Sequence, residues 1–267
     1  MSVTPQQSEP AAVGQDDPAP FEVLNPEGKS PVLLVCDHAS RTIPKMYGLL
    51  GLDEAMLWRH IAWDIGAADV TRRLSAALDA TAVLAGASRL LIDLNRRFED
   101  PSLIPERSDG IDVPGNRSVD EVDRQRRINT WHRPYHDEIA RQIAAKRRKG
   151  IVPGILSVHS FTPVMNEFER PWHVGVLWNK HSRIAEPLMD RLKANSSLVV
   201  GDNQPYTAEE PYGYTIHVHG QDNGLPFVAV EIRQDLIDTH HGAESWANLM
   251  ADATNHMLAA RAPFEAG

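Results

Sequence analysis

Three aliphatic segments of this 267-residue chain each run into a residue able to do chemistry: "VLLVCD" into His38, "ILSV" into His159 and "FVAV" into Glu231. A histidine at such a place is a metal ligand, an acid or base, or simply a polar stop to a strand. Two of them together suit a borderline-soft divalent ion, and a catalytic zinc takes three protein ligands and keeps one position open. Asp64, in "HIAWDIGAADV", is the candidate third ligand, since it stands just ahead of a segment patterned as an amphipathic helix. The competing reading of Asp64 is a helix N-cap, a role that Asp fills well. Glu231 is then left over, and a carboxylate beside an activated water is what amide hydrolysis needs as base and then as proton donor.

The elements that must position these residues are legible as alternating patterns. Residues 31 to 36 form an aliphatic, β-branched run bounded by Pro31, which suits a central strand. Met56, Leu57, His60 and Ile61, then Ala67, Val70, Leu74, Ala77 and Leu78, recur at helical spacing and predict two helices or one broken one. "TAVLAGA", "RLLIDL", "HVGVLW", "SLVV" and "FVAVEIR" read as further strands. Ser118-Val119-Asp120-Glu121 has the pattern of a capping box, Pro134 suits the start of a helix ending near Lys149, and residues 243 to 260 close the chain as a helix. Residues 97 to 117 and 201 to 225 are rich in Pro, Gly and charge and read as long loops, the kind that carries function.

Strands alternating with helices imply a single α/β domain, its sheet mainly parallel or mixed, with helices on both faces. In such sheets ligands bind beyond the carboxyl ends of the strands, so His38, His159 and Glu231 are expected to converge on one edge.

Composition narrows the function classes. A net charge of -9 argues against a general nucleic-acid binder. The run Lys146-Arg147-Arg148-Lys149 sits at a predicted helix end, where it complements the helix dipole. No run of roughly 18 apolar residues is present to span a bilayer. The first twenty residues read as a disordered tail without a secretory signal, and the lone Cys36 reads as a small buried hydrophobe, in keeping with a cytoplasmic protein.

The segments "DHAS", "WDIG", "ASRLLIDLNR", "SVHS" and "VAVEIR", in this order, resemble the N-formylglutamate amidohydrolase family over residues 30 to 262. The broader pattern is similar to zinc carboxypeptidases and zinc-dependent cell-wall amidases, which implies a phosphorylase/hydrolase-like fold. The resemblance implies that His38, Asp64 and His159 hold zinc, and that Glu231 is the acid/base. Where the carboxypeptidase pattern places a ligating Glu, this chain has Arg41, so the carboxylate comes from elsewhere: Asp64, with His60 as the substitute.

The implied substrate is a small N-acyl amino acid, by default N-formyl-L-glutamate, a compound of histidine catabolism. Its carboxylates call for arginine forks. Arg89, Asn95 and Arg96 are the candidates, with Arg89 equally able to pair with Asp93 along an extended segment. His217 and His219 share one face if "YTIHVHG" is a strand, and they line the pocket, stabilise an oxyanion or face water. His217 falls where the family places a substrate-side basic residue. His132, His240 and His241 read as surface residues. The alternatives to an acyl-amino-acid hydrolase are a peptide or cell-wall amide hydrolase and a binding protein that kept the pocket without turnover. The oligomeric state is not legible.

Overall fold

The computed structural model describes residues 17–209, 213–259 and 264. Most of the expected tail thus lies outside the described residues. Along the chain come β1 (Phe21–Leu24), β2 (Val32–Cys36), α1 (Ala67–Leu78), β3 (Thr81–Ala85), β4 (Arg107–Ser108), β5 (Ile111–Asp112), α2 (Glu121–Arg127) and α3 (Arg133–Arg148). There follow β6 (Gly154–Phe161), β7 (Val164–Met165), β8 (Phe168–Glu169), β9 (Val174–Leu177), α4 (Ala185–Lys193), β10 (Val200–Asp202), β11 (Phe227–Arg233) and α5 (His240–Ala259). The fold is a single domain around one seven-stranded mixed sheet of order β1-β3-β2-β6-β11-β9-β10.

Strand alternation explains the layers. Val32, Leu34 and Cys36 face one side, where α1, α4 and α5 bury Leu74, Leu188 and Met250 against them. Leu33 and Val35 face the other, where Trp131, Tyr135 and Ile139 cover them. Strands β3, β2, β6 and β11 are mutually parallel, so the carboxyl ends of β2, β6 and β11 open on the same edge. Strands β9 and β10 run antiparallel to β11.

Several expected elements differ, among them the start of α2, whose N-cap is Asp120 and not Ser118. The helical pattern around Met56 to Ile61 is only a 3-10 turn over Glu54–Trp58, because Leu57 and Ile61 pack into a separate small cluster with Leu50, Leu90 and Val113. "RLLIDL" is a turn and not a strand: Leu91 N–H donates to the Ser88 carbonyl, and side chains of Asn116 and Arg127 take the Leu90 and Leu91 carbonyls. With those carbonyls already satisfied, no sheet ladder is needed.

The basic run does end α3, but Lys146 turns inward. Its Nζ is buried and donates to the carbonyls of Gly28 and Ser30, at 3.2 and 2.7 Å, clamping the lead-in to β2. Lys146→Met keeps the stem and strands both carbonyls, so urea denaturation is expected to show a loss of about 1–3 kcal/mol. No helix among the described residues is long and apolar enough to cross a membrane.

Candidate active site

The parallel register sets Glu231 of β11 beside His159 of β6, and His38 follows the end of β2 on the same edge. Asp64 reaches them from the turn before α1. Its backbone N–H donates to the His38 carbonyl at 3.0 Å, which ties that turn to the strand end. Asp64 is not the helix N-cap; that position is Gly66, at φ 79. Only glycine fits there, since a Cβ would lie 2.2 Å from the Ile237 carbonyl oxygen. The Asp64 carboxylate is thereby left for the histidines.

The two imidazoles are oriented from behind. His38 Nε2 lies 2.7 Å from Asp93 Oδ1, and His159 Nε2 lies 3.2 Å from Asp37 Oδ2. A carboxylate only accepts, so each Nε2 is protonated, and Nδ1 is the ring nitrogen left to bind a metal or, without one, to carry a second proton. Both Nδ1 atoms face Asp64 Oδ2, at 3.3 Å from His38 and 2.8 Å from His159, each within hydrogen-bond reach of it. His60, the substitute ligand, stands apart at the cavity wall and pairs with Asp109 at 3.1 Å.

A buried carboxylate set between two imidazoles calls for positive charge, which ring protons or a metal ion can supply. The three atoms lie within 4.8 Å of one another, close enough that one divalent ion could be held by all of them. The surroundings ask for the same charge. Asp37, Asp64, Asp93 and Glu231 are all buried, with Arg89 reaching Asp64 and Asp93. Burial by itself would suppress protonation of His159, but Asp37 and Asp64 outweigh it and raise its pKa well above the ordinary value. His38, Asp64 and His159 thus form a donor set that fits a divalent metal ion.

Asp37 is the anchor of this arrangement. Burial would raise its carboxyl, but His159, His38 and the Tyr135 hydroxyl hold it at about 2. Tyr135 and Thr215 both donate to its Oδ1 at 2.8 Å. Glu231 goes the other way. Burial, opposed by His159 and reinforced by Asp64, pushes it up to about 7, and its Oε2 is buried with no hydrogen-bond partner among the described residues.

His38, Asp64, His159 and Glu231 line a cavity of about 650 Å³. Arg89 lies on its wall with its guanidinium committed to Asp64, at 3.3 Å, and Asp93, at 2.8 Å, and the pairing with Asp93 is made within a turn and not along an extended segment. Arg96 lines the cavity and donates to Ser102 Oγ and the Asn95 carbonyl. Asn95 also lines it, with its Oδ1 accepting from the Tyr214 and Thr215 backbone N–H groups.

That capping helps to turn "IHVHG" into one π-helical turn, Ile216–Gly220, so His217 and His219 do not alternate across a strand. His217 is wholly buried, and Ile216 forms the cavity wall at this point. His132 is 1% exposed and not a surface residue. It faces the Arg96 carbonyl through Nε2, while His136, hydrogen-bonded to His219, donates to the Leu94 carbonyl. These histidines brace the backbone on either side of Asn95. His240 and His241 are exposed.

Sequence reasoning assigned no such roles to Tyr135, Thr215 or His136. A usable signal existed for Asp93: a carboxylate inside "LLIDL" is a polar group that must find a buried partner.

Among solved structures, a gene product of Agrobacterium tumefaciens is 37% identical, with a TM-score of 0.87, covering 90% of this chain and 95% of that one. An N-formylglutamate amidohydrolase of Ralstonia eutropha JMP134 shares the fold at 20% identity and a TM-score of 0.61, covering 91% and 97%. No curated protein matches the chain. The family model for N-formylglutamate amidohydrolase matches residues 30–238, a span that contains every residue placed around the cavity. The chain therefore belongs to the N-formylglutamate amidohydrolase family and is a hydrolase of amide C–N bonds.

Proposed function

We propose that this protein is a zinc-dependent amidohydrolase that cleaves an N-formyl or other N-acyl amino acid, by default N-formyl-L-glutamate to formate and glutamate. The observation that carries the reading is the convergence of His38 Nδ1, Asp64 Oδ2 and His159 Nδ1 beside a buried Glu231 whose Oε2 has no hydrogen-bond partner among the described residues. A zinc ion held by those three atoms would supply Lewis-acid polarisation of the scissile carbonyl and a water acidic enough to react at neutral pH.

Glu231 takes the proton of the attacking water and returns it to the departing amine. One water O–C bond forms, the C–N bond breaks, and the acid and the free amino acid leave. Arg89, locked by Asp64 and Asp93, is a fixed cation on the wall and stabilises negative charge on the scissile oxygen. Arg96 receives a substrate carboxylate at the mouth of the 97–117 loop. Asn95 shapes this side by holding Tyr214 and Thr215, and His217 acts from behind the wall.

Asp37 and Asp93 fix the tautomers of the two histidines. Asp93→Asn is therefore expected to weaken metal affinity about 10–100-fold with the fold intact, as read by competition with a chromogenic chelator. The function itself is tested by amine release over a panel of formyl, acetyl and succinyl amino acids, with metal content measured on the same preparations. Turnover that survives Glu231→Ala or complete metal removal contradicts the reading.

A further inference from the structure

Arg170 is 7% exposed, and its guanidinium meets only neutral acceptors: the Thr162 carbonyl at 3.4 Å, Thr162 Oγ1 at 3.3 Å, Met165 Sδ at 2.9 Å and the Tyr206 hydroxyl at 3.1 Å. Among the described residues no carboxylate lies within ion-pair distance of it, in contrast to Arg89 with its two. A buried cation without a counter-charge is costly unless a ligand supplies one.

Tyr206 stands between Arg170 and the cavity. It lines the cavity and is 38% exposed. Its oxygen accepts from Arg170, so its own O–H is directed elsewhere, and no protein acceptor for it exists among the described residues. The guanidinium polarises that O–H.

The sheet fixes how close this corner is to the chemistry. Gly175 of β9 pairs with Glu231 across the antiparallel ladder, and paired residues present their side chains on one face. A Cβ on Gly175 would lie 1.8 Å from the Gln204 carbonyl oxygen, so the bare glycine lets the segment leading to Tyr206 lie against the sheet on the Glu231 side.

We propose that Tyr206, backed by Arg170, is the subsite that receives a carboxylate of the acyl amino acid. This rests on the amidohydrolase reading and adds to it a direction. Of the acidic groups on the cavity wall here, Asp64 is paired with Arg89 and the histidines, whereas Glu231, whose Oε2 has no hydrogen-bond partner among the described residues, disfavours a carboxylate beside it. Tyr206, with Arg170 behind it, attracts the carboxylate on the neighbouring wall, and the amide is left facing Glu231.

The test measures binding separately from turnover. N-formyl-L-glutamate and its neutral diamide are titrated by calorimetry into metal-loaded Glu231→Gln protein, alone and combined with Tyr206→Phe or Arg170→Gln. Tyr206→Phe, which removes one oxygen, is expected to weaken binding of the diacid about 10-fold or more and of the diamide by less than about two-fold. Arg170→Gln is expected to show the same selectivity; if it does not fold, Tyr206→Phe alone decides.

Equal losses for both ligands, an unchanged diacid affinity, or no binding of the diacid before Tyr206 is changed each overturn the subsite. If the unmodified enzyme hydrolyses no acyl amino acid yet this discrimination is found, the amidohydrolase reading falls and the subsite stands.

Discussion

Glu231→Gln is expected to lower kcat by about 10²–10⁴-fold while metal content and folding stay as they are. The substitution is nearly isosteric, and Oε2 has no hydrogen-bond partner among the described residues to lose. The side chain stands on a central strand between β6 and β9, so its place depends on the sheet and not on a mobile loop. What disappears is the group that can hold a proton next to the His38–Asp64–His159 cluster. A split between KM and kcat distinguishes this from a binding defect: a proton carrier affects kcat, and KM should move little. Steady-state kinetics on the best acyl amino acid, with metal analysis of the same sample, reads both.

His159→Ala is expected to have the largest effect on the molecule as a whole. It removes one of three donors, so metal affinity should fall by more than the roughly 100-fold expected when a supporting carboxylate is lost, and turnover should fall with it. It also leaves Asp37 and Asp64 buried without the imidazole that faces both, at 3.2 and 2.8 Å. Breaking a buried pair from one side costs about 3–5 kcal/mol, which urea denaturation of metal-free protein should show. Asp93→Asn, which leaves all three donors in place, should cost far less on both measures.

What the sequence showed and what it hid differ for a physical reason. Aliphatic runs ending in His38, His159 and Glu231 are local patterns, and buried parallel strands leave such a pattern because both of their faces are covered. The groups that orient those residues come from distant segments. Asp37 is 122 residues before His159, Tyr135 98 after Asp37, and nothing local ties them.

Local pattern also misled where side chains took over backbone hydrogen bonding. "RLLIDL" has the composition of a strand, but Asn116 and Arg127 occupy its carbonyls and bend it so that Arg89 and Asp93 meet. "IHVHG" alternates like a strand, but Asn95 caps the segment before it and it winds into a helical turn. Asp64 lay between the two cases. Its type and position suited both a ligand and an N-cap, and the choice turned on Gly66, which takes the cap in a left-handed conformation and frees the carboxylate.

The most direct test of the central claim is the metal content of the purified protein set beside that of His38→Ala and Asp64→Asn. About one divalent ion per chain in the unmodified protein, lost from both variants together with amide hydrolysis, is the expected result. Full hydrolytic activity in protein shown to hold no divalent metal would contradict the account.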